Sequence, residues 1–270
     1  MDKSAPLAIA RLVESTEAAA MADLLRAAPA GWQTQAEETP AGTLLLAPTV
    51  DMLLFNRLVG CGVDRPARRD ELLAAIARLR AGGVKNFGVP LNPAARPVDI
   101  PAWLAEAGLT RRDRWAKVYR GADPAAAVKT DLQIQAVEAA QAPTFAAVVA
   151  TGFGMPPLLR PWIAAAVGRP NWRHYLAWDG AEPVGGGALF VHGEAGWLGV
   201  ASTLPEARRR GAQGALMARR IEDGRALGCR WFVTETGEDT PSRPNPSFRN
   251  MLRAGFTLAY QRDNFMPPAP

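Results

Sequence analysis

Residues 203–216 read Thr-Leu-Pro-Glu-Ala-Arg-Arg-Arg-Gly-Ala-Gln-Gly-Ala-Leu, and this stretch decides how the chain is understood. A strand-like run, Trp197 to Thr203, leads into it, and a helix-like run, Ala215 to Leu227, leads out. Three arginines and two glycines therefore stand where a helix should begin. The first turn of a helix carries backbone N–H groups without internal partners, at the positive end of its dipole. Glycine lets a large anion approach that backbone and arginine adds charge. The combination is suited to a pyrophosphate. It is not a dinucleotide fingerprint, because Gly-x-Gly-x-x-Gly is absent, and it is not a P-loop, because no Gly-Lys-Ser/Thr follows.

Outward from this stretch, the order of elements is repeated. Pro205–Arg210, a helix to Leu227, a strand Gly228–Thr234 and a helix closing at Met251-Leu252-Arg253-Ala254-Gly255-Phe256-Thr257 make the second series. Pro66–Asp70, a helix Glu71–Arg80, a strand Gly83–Val89 and a helix closing at Trp103-Leu104-Ala105-Glu106-Ala107-Gly108-Leu109-Thr110 make the first. The interval from Pro66 to Gly83 is six residues shorter than that from Pro205 to Gly228, and what it lacks is the segment matching Gly211–Gly214. The pattern predicts a tandem duplication whose anion-cradling turn survives only in the second copy. A strand Trp115–Arg120 followed by the turn-rich Gly121-Ala122-Asp123-Pro124 places the boundary there, giving domains 1–122 and 123–270.

The second domain reads as a short strand Asp131–Val137, helices Ala139–Thr151 and Pro157–Val167, and three strands, Arg173–Trp178, Pro183–Val191 and Trp197–Thr203, joined by Asp179-Gly180 and His192-Gly193. Gly185, Gly186 and Gly187 inside a strand signal a bulge or a close backbone approach. The expected class is α/β (α+β): two domains, each with a mixed, mostly antiparallel twisted sheet flanked by helices.

Composition sets bounds. The chain has 270 residues, 48% hydrophobic and 21% charged, with a formal net charge of +5. Its basic residues are almost all arginine; the lysines are Lys3, Lys85, Lys117 and Lys129. With so many alanines, this reads as coding bias and not as nucleic-acid binding: the arginines are scattered and offset by Asp and Glu. Cys61 and Cys229 lie far apart in apolar surroundings, which favours a reducing, cytoplasmic setting without disulfides. Neither a signal peptide nor a membrane span is expected. His174 and His192 are not spaced with other ligands for zinc, so no metal is expected.

The second half resembles the GCN5-related N-acetyltransferases (GNAT). Their pyrophosphate signature, Arg or Gln, two residues, Gly, one residue, Gly or Ala, is matched by Arg208-Arg209-Arg210-Gly211-Ala212-Gln213, with Gln213 in the last place and Gly214 next. The later segment Asn245-Pro246-Ser247-Phe248-Arg249-Asn250, followed by Arg253-Ala254-Gly255-Phe256, also fits, and the resemblance spans roughly Val128 to Phe265. It implies an acetyltransferase using acetyl-CoA as acyl donor to a primary amine of a small molecule or peptide, by direct attack in a ternary complex. It also implies that backbone groups of Ala201, Ser202 and Thr203 polarise the thioester, that Arg208, Arg209, Arg210, Gly211, Ala212, Gln213, Gly214 and Ala215 hold the pyrophosphate, and that Asn245 contacts the cofactor. The assembly expected is a monomer with an intramolecular pseudo-dimer, or a homodimer.

The sequence departs from the family where many members carry a tyrosine that protonates the leaving thiolate. Here that place is Met251. Tyr260 is the nearest substitute and Ser247 the next. Glu235, after the strand Trp231–Thr234, is the candidate base, with Glu194 a second. Phe153 and Trp162 are candidates to wall the acceptor site, and Arg160, Arg169 and Arg173 suit an acceptor bearing a carboxylate. The missing tyrosine also permits a second reading, a non-catalytic acyl-CoA sensor.

Overall fold

Residues 4–268 are described in the computed structural model. Contacts divide the chain into two compact units: Met1–Lys117 with Thr236–Glu238 and Leu258–Pro270, and Val118–Glu235 with Asp239–Thr257. The break falls inside one continuous strand, not in the turn at 121–124. The last strand of the chain counts with the first unit. This corrects the expected boundary at residue 122, and the reason is pairing: the C-terminal strand is hydrogen-bonded to a strand of the first unit.

The first unit opens with helix α1 (Ser4–Arg26), whose Ala-rich run buries Ala10, Val13, Met21, Leu24 and Leu25. Strands β1 (Gln35–Thr39), β2 (Gly42–Leu46) and β3 (Arg57–Val59) form an antiparallel sheet. Helix α2 (Arg69–Ala81) has Asp70 and Glu71 in its first turn and Arg78 and Arg80 in its last, complementing the helix dipole. Strand β4 (Val89–Leu91), helix α3 (Ile100–Glu106) and strand β5 (Thr110–Gly121) follow. The strand expected at 83–89 forms later. Gly83 takes φ +75°, and the Asp51 carboxylate accepts the N–H groups of Lys85 (2.9 Å) and Asn86 (2.6 Å), holding this segment in a turn.

The second unit contains β6 (Gln133–Ala136), α4 (Ala142–Phe153), α5 (Arg160–Ala165), β7 (Trp172–Asp179), β8 (Glu182–His192), β9 (Ala195–Thr203), α6 (Ala212–Ala226), β10 (Trp231–Gly237) and α7 (Pro246–Arg253). Strand β11 (Thr257–Met266) closes the chain and lies between β4 and β5. The second unit's strands run β10-β9-β8-β7-β6, antiparallel except for the β9–β10 pair. Gly180 (φ +59°) and Gly193 (φ +55°) make the two hairpin turns, as tight hairpins demand.

Three helices of the chain end alike. After α3, α6 and α7, a glycine at φ +73°, +90° and +83° (Gly108, Gly228, Gly255) turns the chain, and the next N–H reaches back over the last turn: Leu109 to Leu104, Cys229 to Gly224, Phe256 to Met251. Each of these residues then buries its side chain against the helix it caps. Each unit has its own core, around Leu44, Leu58, Ile76, Leu79 and Leu104 in the first and Leu189, Leu198, Leu216, Ile221 and Phe232 in the second. The fold class expected from the sequence is the one observed.

Candidate active site

The second unit's site is built on an irregularity in β9. Strands β8 and β9 pair from His192↔Ala195 to Ala188↔Gly199, then resume at Gly186↔Ser202. One extra residue on β9 makes a bulge, and Val200 within it has φ +49°. A β-branched residue in the left-handed region is strained by about 1–3 kcal/mol, so the surroundings must hold it there. On the other side, β9 pairs with β10 from Ala195↔Trp231 to Trp197↔Val233. At the next step it is the Thr234 hydroxyl that donates to the Leu198 carbonyl, at 2.6 Å. The stretch Gly199–Thr203 thus lies where the register with β10 has ended.

The glycine run in β8 serves this region. A Cβ at Gly185 would stand 3.2 Å from the Ser202 carbonyl, at Gly186 3.1–3.2 Å from Val149 and Phe145 of α4, and at Gly187 3.0 Å from the Arg220 guanidinium carbon. The close approach expected from the sequence is real, and each glycine admits a different neighbour. Ser202 points to α4, where its hydroxyl donates to the Val149 carbonyl at 3.3 Å, and Gly152 lies against it. Trp197 folds its indole over Gly199.

Beyond β9, a short 3-10 turn Pro205–Ala207 leads to Arg209 (φ +65°) and Gly211 (φ +88°), which caps the start of α6. The helix begins at Ala212, earlier than the expected Ala215. The N–H groups of Ala212, Gln213 and Gly214 are its first, and Gly211 has no side chain to cap them. One expectation about the glycines is corrected here. Their α-carbons face protein: Cβ atoms at 211 and 214 would lie 3.0 Å from the Lys129 carbonyl and 3.2 Å from Val128. What they admit is the chain at 128–130.

The arginines divide. Arg210 is held between Asp179 (2.5 Å) and Asp131 (2.5 Å), and its carbonyl accepts from the Thr130 hydroxyl at 2.7 Å. Arg210 lowers both carboxyl pKa values, and Asp179 and Asp131 raise its own. It braces the loop. Arg208 and Arg209 are exposed, and Arg208 Nε donates to the Thr203 carbonyl at 3.4 Å. Gln213 extends from the first turn of α6 to α7: its amide donates to Ser247 Oγ (2.7 Å) and accepts from Asn250 (2.8 Å). Asn245 caps α7, accepting from the N–H groups of Ser247 and Phe248.

Of the proposed catalytic groups, the structure brings Ser247 to the start of α6. Glu235 stands half-buried on β10. Tyr260 belongs to the first unit, where its hydroxyl donates to Glu14 at 2.8 Å, and burial together with Glu14 pushes its pKa well up. This phenol is committed to a buried carboxylate, which removes it as the substitute acid. Met251 is buried. Trp162 is core, Phe153 is half-exposed at the end of α4, and Arg173 donates to the Trp172 and Pro170 carbonyls. Glu194 faces Arg230 at the β8–β9 turn.

Two groups escaped the sequence reading. Arg220 of α6 is fully buried, and burial lowers its pKa to about 10. His174 falls, as expected, in the strand at 173–178, but its burial against Phe145 and Trp172 was not foreseen, and that burial lowers its pKa to about 4. An arginine in a helix ordinarily reads as solvated; the facing Gly187 is the one signal that could have found it.

No protein-family model matches the sequence, and a comparison with curated proteins finds no match. Solved structures do match. A GCN5-related N-acetyltransferase from Kribbella flavida aligns with TM-score 0.66 and 17% identity over 96% of each chain. One from Sphaerobacter thermophilus aligns with TM-score 0.62 and 15% identity over 97% of this chain and 93% of its own. A tandem GNAT protein from the clavulanic acid biosynthesis pathway, solved without AcCoA, aligns with TM-score 0.56 and 18% identity over 79% of this chain and 76% of its own. The fold is that of the GCN5-related N-acetyltransferases. Within that class the arrangement is the tandem one, with two units whose chain segments interleave near the C-terminal end.

Proposed function

We propose that the second unit binds acetyl-CoA and transfers its acetyl group to the primary amine of a small molecule or peptide. The observation that carries this reading is the bulge at Val200, next to the end of the β9–β10 register, in the same unit as the left-handed Gly211 turn that opens α6. The N–H groups of Ala212–Gly214, with Arg208 and Arg209, suit a pyrophosphate. Main-chain N–H groups of the bulged stretch suit a thioester carbonyl as negative charge grows on its oxygen. Acetyl-CoA supplies the activated acyl group. The amine nitrogen bonds to the carbonyl carbon, the C–S bond breaks, the amine proton passes to Glu235 directly or through water, and the thiolate takes a proton from Ser247 or water.

The first unit supports the reading by contrast. Its loop before α2 has no glycine. Arg68 pairs with Asp70, Arg65 with Glu71, and Arg69 with Glu106, so carboxylates already meet the charges an anion would need. Arginines elsewhere are likewise paired, Arg219 with Asp223, Arg225 with Glu222 and Arg249 with Asp239, which argues against nucleic acid as partner. Among the described residues no helix is long and apolar enough to cross a membrane.

A second reading, an acyl-CoA sensor, is favoured by one observation: Met251 occupies the tyrosine's place, and Tyr260 and Tyr175 are bound to Glu14 and Asp223. Thermal shift with acetyl-CoA, CoA, NAD and ATP, followed by thiol release across an amine panel, separates the possibilities. A shift with the CoA species and release with an amine supports the enzyme. A shift without release from any amine supports the sensor. No shift with either CoA species overturns both.

A further inference from the structure

Arg220 is a buried cation that the reaction above does not use. Its side chain lies at the sheet face of α6 with 2% of its surface exposed, and its hydrogen bonds end on main-chain carbonyls. Nε donates to Leu216 in its own helix at 2.9 Å. Nη1 reaches the sheet, donating to Ala188 of β8 at 3.1 Å and to Gly199 of β9 at 3.4 Å. Ala188 and Gly199 are the last pair before the β8–β9 register slips, and the Gly199 carbonyl belongs to the peptide whose N–H is that of Val200. Gly187 is needed for this: a Cβ there would stand 3.0 Å from the guanidinium carbon and 3.3 Å from Nε.

We propose that Arg220 is a positioning residue for acyl transfer: it clamps the Gly199–Val200 peptide, holds Val200 in its strained conformation, and so aims and strengthens the main-chain donors that meet the thioester carbonyl. The inference rests on the acetyl-CoA reading and deepens it. A charge-assisted bond to the Gly199 carbonyl draws density through the peptide and makes its N–H a better donor, since linked hydrogen bonds reinforce one another. The cation also stands in a water-excluded interior, where its field on nearby developing charge is weakly screened. An arginine retained only for packing would be better replaced by an apolar side chain, because a buried cation without a carboxylate partner is costly.

The test uses the full chain and acetyl-CoA labelled with carbon-13 at the carbonyl. Isotope-edited infrared difference spectra report how strongly the bound carbonyl is polarised, and calorimetry gives affinities for acetyl-CoA and for free CoA. In the wild type the bound carbonyl should move to lower frequency than in solution. In Arg220→Met that displacement should be largely lost and acetyl-CoA should bind about tenfold more weakly, with free CoA, held by the α6 loop, unchanged. Arg220→Lys should recover part of the displacement. Adding Val200→Gly to Arg220→Met should recover part too, since glycine adopts the conformation without the clamp. Should Arg220→Met fail to fold, Gly187→Ala, which keeps the cation but displaces it, should lower the displacement in the same direction. A full carbonyl displacement with unchanged acetyl-CoA affinity in either Arg220→Met or Gly187→Ala overturns the clamp while leaving the acetyl-CoA reading intact. A wild type that binds neither CoA species overturns both.

Discussion

Gly211 is the residue on which the loop before α6 turns. Its φ of +88° and the Lys129 carbonyl 3.0 Å from any added Cβ leave no room for a side chain. Gly211→Val should therefore distort the first turn of α6 and abolish the acetyl-CoA thermal shift. His174 makes a separate prediction. Burial depresses its pKa from 6.5 to about 4, so the unfolded chain binds the proton that the folded one refuses. Its contribution is complete above pH 6.5 and is lost as pH falls toward 4, at about 1.4 kcal/mol per pH unit. Urea titrations over that range should show this slope in the wild type and a flatter one in His174→Phe, whose ring suits the Phe145–Trp172 stack. An equal slope in both would refute the assignment. The sequence made Gly211 legible because a glycine between a strand and a helix has few explanations. Tyr260 was misread for the opposite reason: its partner Glu14 is nearly the whole chain away, and no local pattern announces such a pair.

At the scale of elements, α6 and α7 are joined through Gln213, which bonds both Ser247 and Asn250, and α7 is started by Asn245. Asn245→Ala removes a side-chain cap and should cost about 1 kcal/mol, read as a lower urea midpoint at unchanged slope. Gln213→Ala should leave that stability within about 0.5 kcal/mol, because the bond is half-exposed, yet raise hydrogen exchange in the first turn of α7. Unchanged exchange would show that the bridge holds nothing. Helix ends were the most legible elements: Ala-Gly-Leu and Ala-Gly-Phe end α3 and α7 in the same way. The strand expected at 83–89 was misplaced because the Asp51 carboxylate holds 85–86 in a turn. The bulge at Val200 had no signal in β9 itself; the glycines of the neighbouring β8 carried it.

Over the whole molecule, the two units are stabilised by different chemistry. The second is chiefly apolar inside. The first buries a charge cluster: Glu17 meets Arg262 (2.5 Å), Lys117 (2.6 Å) and Arg57 (2.9 Å), while Glu14 meets Arg262 and Tyr260. Burial would raise the Glu17 pKa, but the three cations overcome this and hold it well below the carboxylate range. Glu17→Gln leaves those cations unbalanced and should cost about 3–5 kcal/mol, measured by urea unfolding; a loss under 1 kcal/mol would contradict the ionised cluster. Because Arg262 lies on the last strand, the cluster also explains why β11 belongs to the first unit. The sequence disclosed the tandem plan through repeated element order. It did not disclose α1 or the cluster, whose members come from positions 14, 17, 57, 117 and 262 and meet only in the fold. The proposed function places acetyl-CoA on the second unit's loop from Arg208 to Gly214. Calorimetric titration of the wild type and of Gly211→Val with acetyl-CoA tests it most directly. Saturable one-site binding in the wild type that Gly211→Val abolishes, with the variant still folded, is the result expected; no heat in the wild type, or equal binding by both proteins, would contradict it.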